Sequence, residues 1–160
     1  MSEDVYGRGS LRAGRPGLRF CLFLAAACVA CSSEGEAPRN VVELESGPME
    51  LPAGASRHDI LLEGVGAQTE VKPATVQARP GDAVAFTAAD AVTHSVAFRS
   101  DRLDSAQVAF LETAGQMRSP PLLSEGASWV VTLVDAPAGD YPFTCTLHGG
   151  EGIVRVGTSD

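Results

Sequence analysis

Tyr141-Pro142-Phe143-Thr144-Cys145-Thr146-Leu147-His148-Gly149-Gly150 is the stretch on which the reading turns. Side chains of an extended segment alternate between faces, so Tyr141, Phe143 and Cys145 point the same way and the cysteine follows two aromatic rings inward. His148 stands three positions beyond it, and one further histidine lies 51 positions before Cys145, in Thr93-His94-Ser95-Val96. A thiolate and two imidazoles in one plane are the soft and borderline donors of a copper electron-transfer site, which usually adds a weak axial methionine. No methionine follows His148.

The segments around this stretch predict an all-β domain. Ala136-Pro137-Ala138-Gly139-Asp140 is a tight turn leading into it, and residues 152–156 after it form a last strand, with Val154 and Val156 on one face and Arg155 on the other. Residues 58–63 and 75–79 read as short strands, and Arg79-Pro80-Gly81-Asp82 is a turn with proline and glycine at sites suited to their backbones. The next strand alternates Val84 and Phe86 with Ala83 and Ala85, and a loop at residues 88–92 delivers His94 on the same face as Val96 and Phe98. Residues 128–134 are apolar on both faces, Trp129, Val131 and Leu133 against Val130, Thr132 and Val134, the pattern of a central strand.

Between Ser100 and Gly115 the period changes to that of a helix, with Leu103, Gln107, Phe110, Leu111 and Ala114 at helical spacing, Asp101 or Asp104 as cap and Gly115 as stop. Seven or eight short strands and one short helix predict a Greek-key β-sandwich.

The N-terminal part reads differently. Arg8, Arg12, Arg15 and Arg19 precede an 11-residue apolar run over residues 20–30, well short of the ~20 residues that span a bilayer. Residues 1–30 therefore read as a signal peptide. Its end, Ala25-Ala26-Ala27-Cys28-Val29-Ala30-Cys31-Ser32-Ser33, resembles a bacterial lipobox, with Cys31 as the lipidated residue and Cys28 as the alternative. Residues 31–55, rich in Glu, Ser, Gly and Pro, are expected to tether the lipid to a domain at residues 56–160, with Val41-Val42-Glu43-Leu44 as a candidate extra strand.

Residues 31–160 keep 8 of the 12 basic and 18 of the 20 acidic residues, a net charge of −10. So acidic a surface argues against nucleic acid and favours basic partners. With Cys31 acylated, Cys145 is the one free thiol of an exported chain, in a compartment that oxidises unpaired cysteines. Metal ligation gives it a reason to be there.

The chain resembles the cupredoxins, the blue copper proteins of the plastocyanin, azurin and amicyanin type, over residues 58–160. Two blocks carry the resemblance: Val76-Gln77-Ala78-Arg79-Pro80-Gly81-Asp82-Ala83-Val84-Ala85-Phe86 with Asp90 and His94-Ser95-Val96, and Gly139-Asp140-Tyr141-Pro142-Phe143-Thr144-Cys145 with Leu147-His148-Gly149. The resemblance implies a cupredoxin-like sandwich and His94, Cys145 and His148 as equatorial ligands of one copper ion. In the family an asparagine after the first histidine restrains the cysteine loop; here Ser95 stands there and Thr146 follows the cysteine, so an altered link is expected.

The axial methionine has no counterpart. Aligned as in plastocyanin, Ile153 falls at its position; aligned as in the shorter amicyanin loop, Glu151 does, or the methionine is deleted. An apolar or empty position is the first expectation, Glu151 the second. Strand alternation sets Ile153 beside outward-facing Arg155, so it reaches the site only if Gly152 permits a bend. An apolar neighbour would favour Cu(I) and raise the potential, whereas a carboxylate would lower it.

The expected function is one-electron transfer by an exported, lipid-anchored monomer in the periplasm or cell envelope, with electrons entering at the His148 edge beside Gly149 and Gly150. A copper carrier without electron transfer and a copper-free interaction domain are the alternatives. Three histidines are too few for the additional coppers of a multicopper enzyme, and no phosphate loop or nucleophile elbow is present, so no enzyme is expected. Met117 and Met49 are expected away from the metal, and His58 at the surface.

Overall fold

Alternating patterns along the chain resolve into two four-stranded sheets in a computed structural model that describes residues 41–44 and 47–158. The strands are β1 (Val41–Leu44), β2 (Gly47–Glu50), β3 (Arg57–Val65), β4 (Gln68–Lys72), β5 (Thr75–Ala78), β6 (Ala83–Ala88), β7 (Val96–Phe98), β8 (Ser128–Thr132), β9 (Gly139–Cys145) and β10 (Glu151–Val156), with one helix, α1 (Ser105–Thr113). One sheet runs β4-β3-β6-β8, the other β5-β10-β9-β7, and β1-β2 is a separate hairpin. β3 with β6 and β5 with β10 are parallel; the remaining neighbours are antiparallel. This is the expected β-sandwich with one short helix.

The core is made by the inward residue of each alternation. Ile60 and Leu62 of β3, Val84 and Phe86 of β6, Val131 of β8, and Tyr141 and Phe143 of β9 are buried between the sheets. Phe86 sits at the centre of an aromatic group, edge-on to Phe143 at 4.9 Å and stacked on Trp129 at 5.5 Å between ring centroids, and each such pair adds about 1 kcal/mol beyond its burial. The Tyr141 hydroxyl donates to the Pro137 carbonyl at 2.7 Å, so the one polar atom this ring carries inward is satisfied.

Helix α1 begins where the chain has its cap. The Asp104 carboxylate accepts from the Gln107 amide at 2.8 Å, and the Gln107 side chain accepts from the Asp104 amide at 2.9 Å, a reciprocal capping box. The cap is thus Asp104; Asp101 lies in a short 3-10 turn, Ser100–Arg102. Gly115 follows the helix at φ 67°, the left-handed conformation a stop requires.

Two expectations need correction. Residues 41–55 are not wholly tether: β1 and β2 form a hairpin whose Val42, with Leu51 after it, packs on Ala83 and Ala85 of β6 and Val130 of β8 in a second, smaller core. That hairpin also explains β8. The strand is apolar on both faces yet lies at the edge of its sheet, because its second face is covered by packing rather than by a further hydrogen-bonded strand. The signal-peptide reading of residues 1–30 and the lipidation of Cys31 or Cys28 lie outside the described residues. None of the described helices is long and apolar enough to cross a membrane.

Candidate metal centre

Strand β9 delivers Cys145 at its end, with Val96 of β7 as its register partner, so the thiol faces inward and is 1% exposed. His94 lies just before β7, held to a neighbouring segment by two backbone hydrogen bonds with Leu122. This brace continues along the edge of β7, where Ser119 N donates to Val96 O and the Ser119 hydroxyl accepts from Val96 N. The His94 imidazole is fully buried, with its Nδ1 3.9 Å from Cys145 Sγ. On the far side of the ring, Nε2 lies 3.0 Å from a carboxylate oxygen of Asp90. Since a carboxylate only accepts, Nε2 carries the proton and the Nδ1 lone pair is left toward the sulfur.

Asp90 is itself held. Its two oxygens accept from Gly64 N at 2.6 Å and Val92 N at 2.9 Å. The Gly64 amide above all, with His94 and Val92, keeps this carboxyl below its ordinary range although burial opposes it.

His148 stands on the loop after Cys145. Its loop is closed by Cys145 N donating to Gly150 O at 2.9 Å and by the left-handed Gly149 and Gly150, φ 70° and 88°. The ring is half-buried, and its Nδ1 is a buried polar atom without a hydrogen-bond partner. A buried nitrogen left unsatisfied costs ~1–3 kcal/mol unless something else binds it. Among the described residues no three His, Cys, Asp or Glu side chains stand together as a group that could hold a metal ion. The Cys145–His94 pair is in contact, and the unpartnered His148 Nδ1 stands on the adjoining turn.

Donor chemistry and spacing fit copper. A thiolate sulfur and an imidazole nitrogen bound to one first-row ion at about 2.3 and 2.0 Å, opened by about 120°, lie about 3.7 Å apart, and the observed separation is 3.9 Å. Burial pushes the Cys145 thiol up, but hydrogen bonds from the Thr69 hydroxyl and the Ser95 amide, with the His94 ring and the Leu147 amide beside it, outweigh it and bring the pKa down to about 7. A thiol so poised readily becomes the thiolate that a soft metal needs.

The loop behind the cysteine is tied down. Thr146 donates through its amide at 2.7 Å and through its hydroxyl at 3.3 Å to the Ser95 carbonyl. The loop after Cys145 is therefore tied to the residue after His94 from the threonine side.

Neither candidate for the axial position faces the site. β10 pairs with β9 without a bulge, Glu151 opposite Thr144 and Ile153 opposite Pro142, so both share the outer face, while Cys145, Phe143 and Tyr141 point inward. Glu151 is exposed and pairs with Arg99 at 2.9 Å. Gly152 makes no bend; a Cβ there would enter the Phe143 ring, so the glycine makes room for that aromatic. Met117 packs against the main core, Met49 against the small one, and His58 lies 2.8 Å from Asp82, partly exposed.

One residue at the site was missed in the sequence. Thr69 of β4 is buried, and its hydroxyl oxygen lies 3.4 Å from both Cys145 Sγ and His94 Nδ1. The signal was present in Gln68-Thr69-Glu70-Val71-Lys72, whose alternation puts Thr69 and Val71 on the inner face.

Comparison with known proteins gives the family and the fold. A family model described as copper binding proteins, plastocyanin/azurin family, matches residues 58–157. Plastocyanin from the fern Dryopteris crassirhizoma is 21% identical, covering 62% of this chain and 99% of its own, with a TM-score of 0.51. A mutant fern plastocyanin gives the same identity and coverage with a TM-score of 0.52. A purple cupredoxin from Nitrosopumilus maritimus is 20% identical over 62% of this chain and 99% of its own, with a TM-score of 0.46. The two plastocyanin likenesses speak for the fold.

Proposed function

The chain belongs to the plastocyanin/azurin family of copper-binding proteins, and from that premise we propose that it is an exported one-electron carrier in which His94, Cys145 and His148 hold a single copper ion. One observation carries the assignment: the unpartnered, buried Nδ1 of His148 stands on the loop that follows a Cys145 already in contact with His94. When bound, copper supplies the redox couple, Cu(I) and Cu(II). The protein's part is to hold three donors in one arrangement for both states, so that little reorganisation accompanies the transfer.

Each donor is restrained accordingly. Asp90 fixes the His94 tautomer and ring, Thr146 ties the cysteine loop to Ser95, and the Cys145–Gly150 hydrogen bond sets the turn that carries His148. His148 is the donor nearest the surface, beside exposed Leu147 and the side-chain-free Gly149 and Gly150. Electrons enter and leave by this edge. The acidic chain, at −8 overall, steers toward it a redox partner with a basic surface. Export, attachment through a lipid on Cys31 or Cys28, and work as a monomer at the periplasmic side complete the reading, and they rest on the N-terminal sequence.

A copper carrier without electron transfer would be expected to display further histidines and methionines. Among the described residues, His58 is engaged with Asp82, and Met49 and Met117 are packed in cores.

Titration of the purified protein with Cu(II) tests the proposal. One equivalent should produce an intense visible thiolate-to-copper band that bleaches on reduction and returns on oxidation. A colourless protein, or a band that survives Cys145→Ser, would sink the assignment.

A further inference from the structure

The β3–β4 hairpin enters the site from the opposite sheet, and it does so where the C-terminal loop has nothing to offer. Continuing the β9–β10 register one step beyond Glu151–Thr144 sets Gly150 opposite Cys145, on the inner face. Gly150 has no side chain, and a Cβ added there would run into the Thr69 carbonyl and side chain. The volume beside the cysteine is thus already taken by Thr69. Its backbone amide donates to the His148 carbonyl at 3.3 Å, and its hydroxyl is 3.4 Å from Cys145 Sγ and 3.4 Å from His94 Nδ1. One residue touches all three proposed ligand residues.

The hairpin is built to hold that residue in place. Its turn is two residues long, Gly66-Ala67, with Gly66 at φ 64°, a conformation suited to glycine at the first central position of a tight hairpin. Thr69 pairs across the hairpin with Gly64, whose amide binds Asp90, which in turn binds His94. The same hairpin therefore reaches both sides of the His94 ring.

We propose that Thr69, beside the Cys145 sulfur, would act on a copper ion held there by donating its hydroxyl hydrogen to that sulfur. The inference rests on the ligand assignment above and deepens it. With His94 Nδ1 committed to the metal, the sulfur is the acceptor that remains within reach of this hydroxyl. A hydrogen bond to the thiolate withdraws charge from the metal–sulfur bond and stabilises the reduced state. Thr69 is then a positioning and tuning residue that sets the potential through Cys145.

Thr69→Val keeps the shape and β-branching and removes only the hydroxyl; Thr69→Ser keeps the hydroxyl. All forms should bind one copper. Thr69→Val should move the visible band to longer wavelength and the reduction potential downward, while Thr69→Ser should stay with the wild type. Should valine not be accommodated, Thr69→Ala removes the same hydroxyl and is expected to shift the same way. A hydroxyl-free variant with wild-type band and potential, or a serine variant displaced as far as the valine one, would overturn this proposal alone. Absence of the band from the wild-type protein would overturn the ligand assignment and this proposal together.

Discussion

Asp90 grips His94 from behind: a carboxylate oxygen lies 3.0 Å from Nε2 of a fully buried imidazole whose other nitrogen faces Cys145. Carboxylates behind metal-bound histidines fix ring orientation and raise basicity, and their loss typically costs about 10–100-fold in metal affinity. Asp90→Asn should weaken copper binding by about that factor, measured by competition with a chelator of known affinity. An unchanged affinity would mean that the packing around His94 orients the ring unaided.

His148 predicts a separation between stability with and without metal. Its Nδ1 bonds nothing, and the hydrogen bond from Thr69 N goes to its backbone carbonyl. His148→Ala should therefore leave the copper-free protein within about 1 kcal/mol of wild type. Ligand binding to the folded state alone stabilises by about 4 kcal/mol when free ligand exceeds its dissociation constant a thousandfold. Thermal melts with and without copper should show a large increment for wild type and a much smaller one for the variant. Equal increments would remove His148 from the ligand set.

Just before β6, Asp82 predicts an acid limit. Burial alone pushes this carboxyl up, but hydrogen bonds from His58 and from the Ser56 and Arg79 amides outweigh it and hold its pKa below the usual carboxylate value. A depressed folded-state pKa contributes stability that is present above the unfolded value and is lost as pH falls through the folded one. Asp82→Asn should cost about 2 kcal/mol near neutrality, in the range for charge-assisted bonds. It should also flatten the decline in melting temperature below about pH 4. A variant with the wild-type acid profile would contradict this.

The β1–β2 hairpin predicts a purely structural effect. Val42 is 2% exposed against Ala83, Ala85 and Val130, so Val42→Ala should lower unfolding free energy by about 2 kcal/mol. Urea denaturation would measure it. The visible spectrum should not move, because the small core lies on the outer side of the β6–β8 sheet; a shifted band would show that the two are coupled.

Local periodicity made most of the sandwich legible. Alternation at Tyr141, Phe143 and Cys145 placed the thiol inward, the period change at residues 103–114 marked α1, and Val154 and Val156 oriented the last strand. The errors arose where burial has more than one cause. Apolar residues on both faces of β8 record that both are covered, and say nothing of whether a strand or a packed hairpin does the covering. The strand pattern of Val41-Val42-Glu43-Leu44 does mark β1, though it could not show that the strand has a surface to bury against.

For the site, residue chemistry together with the family resemblance suggested the donors now proposed, one thiol, two imidazoles and no methionine after them, because ligand type follows from side chains that local spacing carries to one loop and one strand end. The residue beside the sulfur was not open to that reasoning. Alignment along the C-terminal loop offered Ile153, Glu151 or a deleted methionine, and the unbroken β9–β10 register turns both residues outward. Thr69, 76 positions from Cys145, reaches the sulfur because two sheets close against each other and a tight hairpin carries its hydroxyl across the gap. Such a contact depends on long-range packing, and no local pattern encodes it.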